Sequence, residues 1–138
     1  MTELADTSAW TASPRSHDAA AAFDHLLATD AIATCEIVKL ELLRTAQNSP
    51  EFMRMRSSLD DLQHAPISNE VWQRATDVFE AFAEQGPLHH RRVPAPDLLI
   101  AAAAELAGMP VVHYDRHFEL IAEVTGQPVR AIAPLGSL

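Results

Sequence analysis

The fold of this chain is decided by residues 93–122, which read VPAPDLLIAAAAELAGMPVVHYDRHFELIA. Residues 97–107 are helix-forming types without an internal glycine, and Gly108 follows them, which predicts a helix and its end. Residues 111–114 form a short apolar run typical of a buried strand, and residues 116–124 predict a second helix. A helix, a buried strand and a helix in this order indicate a parallel sheet covered by helices.

The same alternation continues on both sides of this stretch. Further strands are predicted at residues 4–5, 31–34, 65–67 and 129–132, and further helices at 15–28, 36–46, 49–62 and from Ser68 to the Gly86-Pro87 stop. Trp10 and Trp72 are predicted to pack in the interior. No repeat or linker divides the chain, so we expect residues 1–138 to form one three-layer α/β/α domain around a mostly parallel sheet of four to five short strands.

Composition limits the functions that this chain can have. Nineteen acidic residues against ten basic ones give a net charge of −9, which argues against broad affinity for a nucleic acid backbone and favours a basic protein partner. Cys35 is the only cysteine, so an intrachain disulfide and a cysteine-based zinc site are not expected. No apolar run approaches the ~20 residues of a membrane span, and no signal segment opens the chain. We expect a soluble, cytoplasmic protein.

Three aspartates are placed where a parallel sheet collects its functional groups. Asp6 and Asp115 each follow a predicted strand, and ligand sites of open parallel sheets lie beyond the carboxyl ends of the strands. Asp97 falls in the first turn of a predicted helix, where the helix dipole favours the ionised carboxylate. We therefore expect the three carboxylates to share one edge of the sheet.

Glu41 is the fourth acid of interest because its position within a predicted helix is unusual. At 100° per residue it falls between Ile37 and Val38, so that a charge lies within the apolar arc. Taken singly, each of the four acids has an alternative interpretation as a helix cap or a salt-bridge partner. Together they predict a site for Mg²⁺, for which Mn²⁺ can substitute, because hard oxygen ligands favour these ions over zinc.

With these residues in place, the chain resembles the PIN-domain ribonucleases, and among them the VapC toxins of bacterial toxin–antitoxin pairs. The resemblance covers essentially the whole chain and rests on four motifs: DTSAW at residues 6–10, LELL at 40–43, PDLLIAAAA at 96–104 and HYDRHFELIA at 113–122. It implies a magnesium-dependent endoribonuclease that hydrolyses RNA phosphodiester bonds with metal-activated water.

The resemblance also implies a role for each motif residue. Asp6 and Asp97 would be the main metal ligands, with Glu41 and Asp115 completing the catalytic acidic pocket. Residues at or beside the pocket are candidates for supporting roles, namely Thr7, Ser8 and His117, the last of which replaces an aspartate found in many relatives. Candidates for contacts with the RNA backbone are His89, His90, Arg91, Arg92 and Arg116. His113 is interpreted as a core or edge histidine.

The implied partners are an RNA substrate and a small VapB-like antitoxin that places a basic side chain in the acidic pocket. A homodimer and a toxin–antitoxin hetero-oligomer are also implied, without a membrane. The alternative is a catalytically weak PIN domain that binds RNA or protein, and the presence of all four acids argues against it. A haloacid-dehalogenase-like phosphatase is a more distant alternative, because Ser8 stands where that chemistry requires a second aspartate.

Overall fold

The five strands form a single parallel sheet. The computed structural model describes all residues from Met1 to Leu138. Its strands, in chain order, are β1 (Glu3–Ala5), β2 (Ile32–Thr34), β3 (Gln63–His64), β4 (Val111–His113) and β5 (Val129–Ala131). They are arranged as β3-β2-β1-β4-β5, with every neighbouring pair parallel. The predicted α/β class is confirmed.

Seven α-helices connect and cover these strands. They are α1 (Thr7–Ala12), α2 (His17–Ala28), α3 (Glu36–Leu43), α4 (Ser49–Asp60), α5 (Asn69–Gln85), α6 (Ala95–Leu106) and α7 (Arg116–Thr125). Short 3₁₀ helices cover Ser13–Arg15 and His89–Arg92. The starts of α2, α4 and α5 are fixed by polar caps, since the side chains of Ser16, Asn48 and Ser68 accept from backbone N–H groups in the first turn. None of the helices is long and apolar enough to cross a membrane.

The strand order creates a switch point between β1 and β4. From β1 the chain first builds outward through β2 and β3, and it then returns to add β4 and β5 on the other side. Leu4 pairs with Val111 and Ala5 with Val112, so the carboxyl ends of β1 and β4 lie side by side. A crevice opens at such a reversal, and it is the usual ligand site of a doubly wound sheet.

Helix α6 is the centre of the larger of two apolar clusters. Every residue from Leu98 to Ala104 is buried, because the small alanine side chains allow α5, α7 and α3 to approach closely. Phe118 of α7 and Phe82 of α5 pack in the same cluster with almost no exposed surface. Burying each phenylalanine stabilises the fold by about 1.5–3 kcal/mol, so the element that carries Asp97 is rigidly held.

The structure adds one helix and corrects two predictions. Helix α1 begins directly after Asp6, where no helix is predicted, because its sequence with two threonines gives little helical signal. Strand β3 lies at Gln63–His64 rather than at residues 65–67, because it is an edge strand with polar side chains and lacks an apolar pattern. Trp72 is 55% exposed on α5, whereas Trp10 packs edge-on against Phe23.

Cys35 behaves as a core residue. Its side chain is completely buried at the end of β2. This burial raises the pKa of the Cys35 thiol to about 11, so the thiolate that reacts or binds metal is not formed at neutral pH.

Candidate active site

Asp6 lies at the carboxyl end of β1 and caps helix α1. Its Oδ2 accepts hydrogen bonds from the Ser8 backbone N–H at 2.9 Å and from the Ser8 hydroxyl at 2.5 Å. The Ser8 Oγ in turn accepts from the backbone N–H of Tyr114 at 2.9 Å. Ser8 therefore connects the ends of β1 and β4 and holds the Asp6 carboxylate at the switch point.

Asp97, Asp115 and His117 form a tight group in front of this edge. One potential ligand atom from each of the three lies within 4.8 Å of the other two. The Nδ1 of His117 is 3.0 Å from Oδ2 of Asp97 and 3.1 Å from Oδ1 of Asp115. Asp97 projects from the first turn of α6, while Asp115 caps α7 by accepting from the His117 backbone N–H at 3.0 Å. Two helix starts thus meet at one cluster.

Ionisation of the carboxylates at the site costs free energy, because of their burial and their mutual repulsion. Burial, together with the charges of Asp6 and Asp115, raises the pKa of Asp97 to about 7, although His117 acts in the opposite direction. Burial also raises the pKa of Asp6, against the effect of its hydrogen bonds from Ser8. Because a nearby cation favours the ionised form of a carboxylate, a divalent ion would remove much of this penalty. The donor set of two carboxylates and an imidazole fits such an ion.

Glu41 of α3 reaches the same edge of the sheet. Its Oε1 accepts from the Thr7 hydroxyl at 2.9 Å, and its charge contributes to the raised pKa of Asp6. Half-buried Glu41 is therefore tied to the first residue of α1 rather than turned to solvent. The apolar arc predicted a special position for this glutamate, and the bond to Thr7 accounts for it. Neither Asp6 nor Glu41 belongs to the tight group of three.

His113 supports the site from behind. It is completely buried on β4, its Nδ1 accepts from the Asp115 backbone N–H at 3.1 Å, and its Nε2 lies 3.0 Å from Oε1 of Glu119. A backbone N–H can only donate, so Nδ1 must be unprotonated and Nε2 carries the hydrogen that points to Glu119. Burial lowers the pKa of His113, in agreement with a neutral ring. The core position predicted for His113 is confirmed.

Replacing His113 with phenylalanine is expected to destabilise the protein by about 1–3 kcal/mol, because the partly buried Asp115 N–H loses its acceptor while the ring volume is kept. The free energy of unfolding in urea at neutral pH measures this effect. Glu119→Gln serves as the matched control, because its amide oxygen still accepts from Nε2, and its stability should stay within about 0.5 kcal/mol of wild type. An unchanged stability of His113→Phe would contradict the proposed support of Asp115.

In the predicted basic cluster, the histidines pack against other residues and the arginines are exposed to solvent. His90 packs edge-on against Phe79 of α5, with ring centroids 5.3 Å apart, and the ring of His89 lies against Gly86. Arg91 and Arg92 are exposed, as is Arg116 at the start of α7 beside Asp115. The arginines of the cluster are thus free to meet a ligand, whereas the histidines are partly used in packing.

Two residues, His117 and Glu119, make more contacts at the site than the sequence indicates. His117 is interpreted from sequence as a supporting residue, yet its ring stands between two of the predicted acids. Glu119 was not singled out, although it holds His113. The sequence contains one signal for Glu119, because this acidic residue lies in the first turn of α7, four residues after the Asp115 cap.

These features define a class of protein, namely an α/β/α protein whose parallel sheet gathers carboxylates suited to a divalent cation at its switch point. The sequence pattern of the PIN domain matches residues 4–124. The chain therefore belongs to the PIN-domain family.

Within that family the chain groups with VapC proteins. It is 39% identical over 138 residues to Ribonuclease VapC18 of Mycobacterium tuberculosis, a match that covers 100% of both chains. It is 38% identical over 107 residues to Ribonuclease VapC21 of the same species, which covers 77% of this chain and 76% of the relative.

Solved structures share the fold. The chain matches VapBC2 from Rickettsia felis bound to a DNA fragment from their promoter, with a TM-score of 0.69, 17% identity, and coverage of 95% of this chain and 98% of the other. The match to DNA-bound VapBC from Salmonella typhimurium has a TM-score of 0.69 at 19% identity and covers 96% and 100% of the two chains. At such low identities these matches concern the fold alone.

Proposed function

We propose that this protein is a magnesium-dependent endoribonuclease that acts as the toxin of a toxin–antitoxin pair in the cytoplasm. The observation that carries the proposal is the convergence of Asp97, Asp115 and His117 at the switch point, where Asp6 adds its charge. The names of the related proteins, Ribonuclease VapC18 and Ribonuclease VapC21, support the nuclease activity. The whole chain would act as a single PIN domain.

The residues of the site have distinct tasks in this proposal. Asp97 and Asp6 would hold the ion, with Asp115 and Glu41 completing the acidic pocket. When bound, Mg²⁺ would neutralise charge on the scissile phosphate and lower the pKa of water. Without a cation the clustered carboxylates would repel the phosphate, so cleavage should depend strictly on the metal.

Other parts of the chain position these groups and the substrate. The two bonds from Ser8 keep the Asp6 carboxylate from rotating, and the Thr7 hydroxyl orients Glu41. Exposed Arg91, Arg92 and Arg116 would bind backbone phosphates of RNA. Because the net charge of −9 makes nonspecific attraction to RNA weak, these local contacts would supply the affinity.

The toxin role requires an inhibitor, which we propose is a small VapB-like antitoxin. The structural neighbours from Rickettsia felis and Salmonella typhimurium are VapBC complexes. A basic side chain of the antitoxin would enter the acidic pocket and replace the cation as its counter-charge, which the negative charge of this chain favours. A homodimer that carries two antitoxins would form the resting complex.

Sequencing of RNA ends after brief induction in cells tests the nuclease proposal. Wild-type protein is expected to create dominant new 5′-phosphate ends that Asp6→Asn does not create, since asparagine keeps the cap on α1 but loses the ligand charge. Equal expression of the two proteins is the control. Identical end profiles for wild type and Asp6→Asn would reject the nuclease and leave an RNA- or protein-binding module as the better reading.

A further inference from the structure

We propose that the His117 imidazole is itself a ligand of the divalent cation and raises the affinity of this site for Mn²⁺ relative to that for Mg²⁺. The inference rests on the proposed metal site: it makes Asp115, which completes the acidic pocket, a direct ligand beside Asp97, and it adds His117 as a selectivity-determining ligand. It concerns a side chain that offers a nitrogen donor beside the carboxylates of Asp97 and Asp115.

The two distances from His117 Nδ1 to the carboxylate oxygens are those of neighbouring ligands around one ion. An ion bound at about 2.1 Å by two ligands at a right angle holds those ligand atoms about 3 Å apart. The Nδ1 of His117 is 3.0 Å from the Asp97 oxygen and 3.1 Å from the Asp115 oxygen. In the metal-free protein the same spacing allows one ring N–H to bridge both carboxylates. A cation would take the place of that hydrogen.

The backbone holds the imidazole in place before metal arrives. The His117 N–H donates to Oδ1 of Asp115, which fixes the first turn of α7. The next residue, Phe118, is completely buried in the main core and anchors this turn to the sheet. The His117 side chain is 27% exposed, so it is directed into the pocket rather than extended into solvent. A ligand held in this way loses little conformational freedom on binding.

The donor atoms of the three residues determine the relative affinities for the two ions. Mg²⁺ favours oxygen ligands and binds imidazole poorly. Mn²⁺ accepts both carboxylate and imidazole, and because it is the weakest binder among the divalent first-row metals, it also suits a site that is rich in oxygen ligands. Exchanging a carboxylate for an imidazole also removes one negative charge, which weakens the attraction for a hard ion. The loss of charge lowers the affinity for both ions, whereas the nitrogen donor lowers the affinity for Mg²⁺ more than that for Mn²⁺.

The experiment compares metal binding rather than activity. Dissociation constants for Mn²⁺ and Mg²⁺ are measured by calorimetry on the full-length protein, and pulsed electron paramagnetic resonance of bound Mn²⁺ detects a coupled imidazole ¹⁴N. We expect ¹⁴N modulation in wild type and its loss in His117→Asp. The ratio of Mg²⁺ to Mn²⁺ dissociation constants should fall by roughly tenfold or more in His117→Asp.

Matched variants make the outcomes separable. His25→Gln removes an exposed histidine of α2 and should keep both the modulation and the ratio. If wild type binds Mn²⁺ without ¹⁴N modulation, or if His117→Asp keeps the wild-type ratio, His117 is only a hydrogen-bond partner and the inference is overturned while the metal site stands. If wild type binds neither ion, the proposed function and the inference both fail. The wild-type spectrum decides the matter even where His117→Asp does not fold.

Discussion

Asp97→Asn is expected to lower the rate of RNA cleavage by about 10³-fold or more, because several kcal/mol of transition-state stabilisation depend on the metal that this carboxylate would hold. The same substitution is expected to stabilise the metal-free protein. It removes a carboxyl group whose side chain is only 14% exposed and which is crowded by Asp6 and Asp115. Loss of activity would therefore accompany a gain in stability.

The fold should tolerate this substitution well. Asparagine has nearly the volume of aspartate, and its side-chain oxygen can still accept from Nδ1 of His117. The anchoring residues of α6 that follow, Leu98 to Ala104, are untouched. A loss of cleavage in Asp97→Asn would thus report on the site and not on a collapse of the helix.

Cleavage of a labelled RNA under single-turnover conditions, together with urea unfolding in EDTA, measures both effects. Asp24→Asn is the matched control, since it makes the same change at an exposed position of α2 and should alter neither quantity appreciably. An Asp97→Asn protein that still cuts RNA with wild-type metal dependence would falsify the assignment of Asp97 as a ligand.

The second large effect is a pH-dependent loss of stability in the absence of metal. The Asp97 carboxyl has a pKa of about 7 in the folded protein, against an ordinary value of 3.8. Between these two pH values the folded state binds more protons than the unfolded state, so the free energy of unfolding decreases as pH rises. The contribution is complete below about pH 4 and is lost by about pH 7. Its size is on the order of 2–4 kcal/mol, because each pKa unit corresponds to about 1.4 kcal/mol.

Urea unfolding in EDTA between pH 4 and pH 8 measures this dependence. Other ionisable groups contribute to the total, so the useful quantity is the difference between wild type and Asp97→Asn, which should grow with pH and level off above about pH 7. Adding Mg²⁺ or Mn²⁺ at about ten times the dissociation constant should return about 1.4 kcal/mol to wild type at neutral pH and little to the variant. A difference that is flat across this range would show that Asp97 carries no electrostatic penalty.

Both predicted effects have the same cause, which is the crowding of carboxylates at the site. Carboxylates gathered at the switch point cost stability when no cation is present, and the same crowding is what would give the site its affinity for a divalent ion. A protein whose pocket is neutralised by a basic side chain of a partner would be relieved of the same penalty. Metal and inhibitor would then compete for the acidic pocket.

Much of the fold could be predicted from local patterns. The buried strand β4, the alanine-rich helix α6 and the capped starts of α4 and α5 each have a signal within a few residues, because cap residues and apolar runs act over one helical turn or one strand. Strand β3 lacks such a signal. Gln63 and His64 form a strand because β2 offers free hydrogen-bonding groups beside them. Helix α1 has one local signal, the Asp6 cap that accepts from the Ser8 N–H, but the two threonines and the tryptophan that follow are not strong helix formers.

What the sequence alone determined about this protein is its α/β class and the kinds of group at its site, with Asp6 and Asp115 after strands, Asp97 in a helix start and Glu41 within an apolar arc. What only the tertiary structure decided is which of their atoms meet. Pairing of β1 with β4 brings Asp6 beside the turn that contains Asp115, and the packing of α6 against α7 places His117 between Asp97 and Asp115. The physical reason is that contacts across 20 residues or more depend on strand order and helix packing, which no local pattern encodes.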